Sequence, residues 1–253
     1  MILAFQNRKK IKAFAQGCQA TWIDLDGINT NTQWPMIFSG VSIMAPVEQA
    51  RRHGLDYWYI DTGYLGNHKL KTYLRVCKNS IHASGPIVDR PRDRLDRLQI
   101  DTTPIPRGDD ILIVPPDAKQ ACHWPIGTPE SWLDVTMQSI QKHTDRCIRI
   151  RQRPPSRTVR QSKDTFLHAL SDNVHAVVTF VSGASVESVL HDIPVISLGP
   201  SACTQVSPWS IETIDQVPNI DINLKESWLR HLSYSQFTSI EMSDGTAWRI
   251  LNQ

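Results

Sequence analysis

The sequence predicts an α/β protein built on parallel sheets, arranged as two successive units. Three observations carry this. Short β-branched and aromatic runs alternate with amphipathic stretches, the pattern of strands joined by helical crossovers. Residues 174–198 read as strand, small-residue turn, helix, loop and strand. The proline- and charge-rich stretch 85–110 parts two such alternations.

In chain order, residues 2–5 are a first strand. Residues 9–16 have helical character, and Gly17 stops them. Residues 21–25 and 36–41 are the next strands, with a polar turn between. Pro46 suits a helix start; residues 47–52 continue it and Gly54 closes it. Residues 56–61 form an aromatic-rich strand. It leads into Asp61, Thr62, Gly63, Tyr64, Leu65 and Gly66, at the carboxyl end where open α/β sheets bind ligands. Residues 85–110 are expected to connect the units and to form an arm or lid rather than core.

The second unit opens with a strand over residues 111–114. Its next loop carries Lys119, His123 and Gly127. Thr128, Pro129 and Glu130 make a good helix start, with Leu133, Met137 and Ile140 as the buried stripe. Residues 147–151 form a strand whose Arg149, Arg151 and Arg153 share a face or edge. An arginine at that strand's exit is suited to grip a diphosphate. Residues 164–170 are a helix and residues 176–181 a buried strand. The turn of Ser182, Gly183, Ala184 and Ser185 then opens a helix on Val186, Val189 and Leu190. Pro194 ends the helix before a strand over residues 195–198. Such a turn offers unpaired backbone N–H groups and a helix dipole to phosphate, and Glu187 in the first turn suits a sugar hydroxyl. Residues 201–218 are a loop wrapping the site, and residues 226–251 a helical tail whose Trp228, Phe237 and Trp248 dock it on the body.

Composition is that of a globular protein: 253 residues, 40% hydrophobic, 21% charged, so disorder is not expected. No apolar run is long enough to span a membrane. The apolar N-terminal residues precede Arg8, Lys9 and Lys10 instead of following them, so no export signal is expected. Five scattered cysteines without ligand spacing predict reduced thiols, a cytoplasmic location and no structural zinc. Net charge is only +2 but uneven: residues 146–163 hold seven Arg or Lys and no acid, residues 69–97 eight against three Asp. Such stretches suit a polyanion or a nucleotide phosphate. Lys69, Lys71, Arg75, Lys78, Asn79 and His82, interleaved with Tyr64 and Tyr73, have the character of a nucleic-acid or sugar-phosphate surface.

These segments resemble a known family. The strand at 111–114, the helix after Thr128 and Pro129, the strand at 148–151 running into Arg153 and Pro154, the turn at 182–187 and the strand after Pro194 resemble the nucleotide-binding domain of GT-B glycosyltransferases. In related sugar-transfer enzymes the last of these segments lies against the nucleotide sugar. Residues 57–64, residues 228–238 and the stretch ending at Trp248 look like blocks of phage-encoded glycosyltransferases, and those blocks cover most of the chain. Two departures stand out. The chain is short for two full domains, and Arg153-Pro154 stands where capsule-type relatives often carry His-Pro.

The resemblance implies a GT-B-like α/β fold: two Rossmann-like domains with parallel sheets facing across a cleft, the N-terminal one abbreviated. Residues 1–105 would be the acceptor-side domain, 106–223 the nucleotide-sugar domain and 224–253 the docking tail. It implies transfer of a sugar from a nucleotide-diphosphate sugar, a UDP-sugar first, to a hydroxyl, with no obligatory metal. Donor contacts fall to Gly127, Arg151, Arg153, Ser182, Gly183, Ser185 and Glu187. Asp61 is the expected general base. Gly63, Tyr64, Lys69, Lys71, Arg75, Lys78, Asn79 and His82 are the expected acceptor surface. Phage relatives suggest hydroxymethylpyrimidine in DNA as that acceptor, with the base flipped out and the protein in the host cytoplasm. A glycan- or lipid-directed transferase, a nucleotide-sugar epimerase and a non-catalytic DNA-binding protein are the alternatives. The sugar, the stereochemical outcome and the oligomeric state stay open.

Overall fold

The computed structural model describes residues 1–5, 9–23, 34–39, 45–66, 72–121, 124–152 and 165–253. Its elements run β1 (Leu3–Phe5), α1 (Lys9–Gly17), β2 (Thr21–Ile23), β3 (Met36–Ser39), α2 (Ala45–Arg52), β4 (Tyr57–Thr62), β5 (Leu74–Lys78) and α3 (Asp93–Leu98). They continue with β6 (Asp110–Val114), α4 (Ala118–Ala121), α5 (Pro129–Ile140), β7 (Ile148–Ile150), α6 (Phe166–Leu170), β8 (Val174–Thr179), α7 (Ala184–Leu190) and β9 (Val195–Ser197). A 3₁₀ segment (Ile211–Gln216), α8 (Ile222–Ser233), β10 (Gln236–Phe237), α9 (Ser239–Ser243) and α10 (Thr246–Leu251) complete the chain. Two compact units result, one of residues 1–83, 88–100 and 229–253, the other of residues 84–87 and 101–228.

The first unit holds a six-stranded sheet in the order β10-β5-β4-β3-β1-β2. Strands β2, β1, β3 and β4 are parallel, as the alternation predicts. Strand β5 runs antiparallel to β4, and β10 antiparallel to β5. The sheet is therefore mixed, because the connection of residues 63–73 is shorter than a parallel crossover needs. All four residues of β3 are buried, as befits a central strand covered on both faces. Ile11 and Phe14 of α1 pack on Ala4, Ile37, Trp58, Ile60 and Val76. The tail completes that core with Phe237, Met242 and Ala247, and the Trp248 ring packs tilted against Trp58, centroids 4.8 Å apart. Gly17 permits this approach, since a Cβ there would sit 2.0 Å from the Met242 carbonyl oxygen.

Residues 88–100, within the stretch expected as a connection with an arm or lid, belong to this unit. Leu95 of α3 is buried, and Arg94 donates to the carbonyls of Ser233 (3.0 Å) and Gln236 (2.8 Å) and pairs with Glu241 at 2.5 Å. A buried leucine and a fully engaged arginine make α3 part of the folded body.

The second unit is a four-stranded parallel sheet, β7-β6-β8-β9, with every residue of β8 buried. Helix α5 starts on a capping box between Thr128 and Ser131. Its buried residues are Trp132, Thr136 and Ile140; Leu133 and Met137 of the expected stripe are half-buried. The large Trp132 turns the helix toward its own side because it covers Phe180, ring centroids 6.3 Å apart. Among the described residues, no helix is long and apolar enough to cross a membrane.

Candidate functional site

In the second unit the small-residue turn follows β8 as the sequence predicts. Strand β8 is tied to β6 at its end, where the Thr179 hydroxyl donates to the Val114 carbonyl at 2.9 Å. The turn's amides are less available than expected. The Ser185 N–H donates to the Ser182 carbonyl (3.2 Å), and the Ala184 N–H to the Ser182 hydroxyl (3.2 Å). The Ser185 side chain is 1% exposed, donates to the Ser182 carbonyl at 2.7 Å and lies 3.1 Å from the Ser201 hydroxyl. Ser185 thus closes the turn from inside, a correction to its expected role as a phosphate ligand. Gly183 is exposed, and a Cβ there would meet open space. Half-buried Ser182 and Glu187 flank it.

The loops at this sheet edge interlock. Gln120 donates through Nε2 to the Val181 carbonyl, while its own N–H bonds Asp117 at 2.9 Å. The ring of Phe180 meets Trp124 edge-on at 5.5 Å and underlies Gly199, where a Cβ would fall 2.7 Å from ring carbon. The sequence reading missed Gln120 and the Phe180–Gly199 contact; Gly199-Pro200 just beyond a strand was the available signal. Gly127 has φ +76°, and a Cβ there would lie 2.5 Å from the Ser131 hydroxyl, so the cap of α5 requires it. Arg151 continues the β7 ladder through its N–H to the Ile113 carbonyl (2.9 Å) and is half-buried. Arg149 does not join it. It pairs with Asp110 (3.0 Å), the first residue of β6, and with Asp172, which precedes β8, at the amino ends of these strands. Arg153 lies outside the described residues.

In the first unit Asp61 stands near the carboxyl end of β4, as expected. Its Oδ1 accepts the Thr62 N–H at 2.8 Å. Its Oδ2 accepts the Tyr59 hydroxyl at 3.3 Å and lies 3.4 Å from Arg75 Nη2. Burial, reinforced by the Asp61 charge, raises the Tyr59 hydroxyl far above its ordinary value, so Tyr59 donates. Gly63 donates its N–H to the Tyr73 carbonyl at 3.0 Å. Beyond it, a pocket of about 160 Å³ is lined by Tyr73, Arg94, Arg97, Leu98 and Glu241 among others.

Of the expected acceptor surface, Tyr64 and His82 are buried, while Lys78 and Asn79 are exposed. Tyr64 is 8% and His82 4% exposed; the Tyr64 hydroxyl accepts the Ala83 N–H at 2.8 Å and faces His82 Nδ1 at 3.3 Å. Burial, then Arg75, pushes His82 well below its ordinary value, so its ring is neutral. Asn79, at φ +56°, accepts the Tyr57 N–H (2.8 Å) and donates to Asp56 (2.7 Å). Lys78 pairs with Asp56 at 3.2 Å. For Tyr64, Arg75 and His82 the reading as an open surface is corrected, because the hairpin of β4 and β5 encloses them; Asn79 and Lys78 stay at the surface. Lys69 and Lys71 lie outside the described residues. No group of three or more His, Cys, Asp or Glu suited to a metal occurs among the described residues.

No protein-family model matches the chain, and no curated protein sequence matches it. Solved structures do. The chain is similar to Thermosulfurimonas dismutans KpsC, beta Kdo 2,7 transferase, at TM-score 0.54 and 12% identity over 99% of this chain and 98% of that one. It is also similar to the beta Kdo 2,4 transferase of the same KpsC at TM-score 0.50 and 11% identity, over 90% of this chain and 89% of that one. At such identities the likeness is one of fold, and the fold is α/β and GT-B-like.

Proposed function

We propose that the protein is a glycosyltransferase that moves a sugar from a nucleotide sugar to a hydroxyl of a glycan. The observation that carries this is the likeness of fold, over nearly the whole chain, to two sugar transferases. In this reading residues 1–105 serve the acceptor, residues 106–223 the donor, and residues 224–253 brace the first unit. The donor phosphate meets Ser182, Gly183 and the guanidinium of Arg151, with Arg153 beside it and Glu187 on a sugar hydroxyl. Asp61 accepts the proton of the acceptor hydroxyl as that oxygen bonds to the anomeric carbon. The bond from that carbon to the phosphate oxygen breaks, and the nucleotide leaves with the electron pair. Arginine stabilises the charge it carries away.

A glycan acceptor is favoured over hydroxymethylpyrimidine in DNA. Both similar structures are named as Kdo transferases, and Tyr64 and His82 are buried where a DNA surface was expected. The test offers the purified chain UDP-sugars and CMP-Kdo, with Kdo-terminated oligosaccharides or with DNA bearing 5-hydroxymethylcytosine. A mass gain on the oligosaccharide supports the reading. A gain on DNA alone restores the nucleic-acid acceptor, and donor conversion without any acceptor points to an epimerase.

A further inference from the structure

We infer that Arg75 is a positioning residue for the Asp61 carboxylate, acting with the Tyr59 hydroxyl to fix its direction; the inference rests on the assignment of Asp61 as the base. Asp61 and Arg75 are register partners in the β4–β5 ladder. The guanidinium grips two points of the same turn. Nη2 lies 3.4 Å from Asp61 Oδ2, and Nη1 donates to the Thr62 carbonyl at 3.0 Å. It therefore ties the side chain to the peptide that follows.

The cation is walled in. Its side chain is 12% exposed and sits between two rings, 5.8 Å from the Tyr59 centroid and 5.2 Å from that of Tyr64. Tyr64 is itself fixed at both ends, by Ala83 N–H on its hydroxyl and by its own N–H on Gln236 Oε1 at 2.8 Å. Asp61 keeps 29% of its side chain exposed, so the clamp holds it from behind and leaves a face to solvent. A carboxylate with its hydrogen-bond donors in place before substrate arrives is preorganised for one direction of proton transfer. Arg75 and Tyr59 touch Asp61, and the buried Cys77 thiol feels its charge. Behind Arg75 stand Tyr64 and Cys77, which burial raises, and His82, which burial lowers. Arg75 thus places a buried positive charge directly beside Asp61.

The test has two readouts. In ¹³C-labelled full-length protein the Asp61 carboxyl is assigned by its loss in Asp61→Asn and followed against pH. Nucleotide release from UDP-glucose and CMP-Kdo is followed over the same range. Arg75→Met should move the Asp61 midpoint up by about one unit or more, since a neighbouring cation lowers a carboxyl by roughly 1–3 units. The acid limb of turnover should rise with it, and Arg75→Lys should restore the midpoint but not the full rate. Tyr59→Phe, which removes one hydroxyl and keeps the ring, gives the same sign if Arg75→Met fails to fold. An unmoved carboxyl midpoint in both Arg75→Met and Tyr59→Phe overturns the inference. Full turnover in Asp61→Asn would instead overturn the assignment of the base, while the carboxyl titration still decides the clamp.

Discussion

Gln236 holds the backbone of Leu65 as a neighbouring strand would. Its Oε1 accepts the Leu65 N–H at 2.8 Å, and its Nε2 donates to the Leu65 carbonyl at 3.0 Å. The same Oε1 also takes the Tyr64 N–H at 2.8 Å, and Gln236 is 1% exposed. One amide from the chain's C-terminal part thereby fixes the loop that leaves Asp61.

Replacing it tests that role. Gln236→Leu leaves two buried N–H groups and a carbonyl without these partners, a cost of about 3 kcal/mol. Gln236→Glu keeps an acceptor for the two N–H groups but buries a carboxyl against the Leu65 carbonyl, so it should also destabilise at neutral pH, and less so in acid, where the protonated carboxyl can donate. Urea unfolding at neutral pH measures both. A loss below about 0.5 kcal/mol in Gln236→Leu would contradict the assignment.

Two glycines separate fold from function in the second unit. Gly199→Ala drives a methyl into the ring of Phe180, which Trp124 and Trp132 hold in place. It should destabilise by about 1–3 kcal/mol. Gly183 has φ −62° and open space around it, so Gly183→Ala should melt within a degree or two of wild type, an effect of roughly 0.5 kcal/mol or less. If the turn receives the donor phosphate, the same variant should weaken nucleotide-sugar binding, read by calorimetry. Unchanged binding would remove Gly183 from the donor site.

Acid should weaken the first unit in two steps. The folded-state value of His82 lies well below 6.5, through burial and then Arg75. A depressed group contributes stability above its unfolded value and loses it as pH falls toward the folded one. The advantage of wild type over His82→Gln should therefore shrink as pH falls below about 6.5. For Glu241, burial is the largest influence and raises the carboxyl, but Arg94 and Thr238 together lower it below 4.5. Its contribution should hold until about pH 4.5 and fade below. Thermal melts of wild type, His82→Gln and Glu241→Gln across this range check the order; loss of the Glu241 contribution first would contradict it.

The alternation of apolar runs and turn residues made the parallel strands legible, because burial on both faces leaves a continuous signature such as that of β8. The reversal at β5 was less legible: Leu74 to Lys78 carry charge, and their direction follows from the short connection and from pairing with distant Gln236 and Phe237. The charge-rich stretch 85–110 read as a connection with an arm or lid because Arg94 finds its partners, Glu241 and the carbonyls of Ser233 and Gln236, more than a hundred residues away. Asp61 was legible from its place after a strand. Its clamp was not, since the alternation of basic and aromatic residues from Tyr64 to His82 reads alike whether the cations face water or lie between rings. Arg75 between Tyr59 and Tyr64 is the second case.

In the proposed reaction Asp61 supports sugar transfer from a nucleotide sugar. The most direct measurement compares wild type with Asp61→Asn for transfer from UDP-sugars or CMP-Kdo to a Kdo-terminated oligosaccharide, read by mass, with donor binding measured in parallel. The account predicts transfer by wild type, and a fall of about 10²-fold or more in Asp61→Asn with donor binding kept. Transfer undiminished in Asp61→Asn, or no binding of any nucleotide sugar, would contradict it.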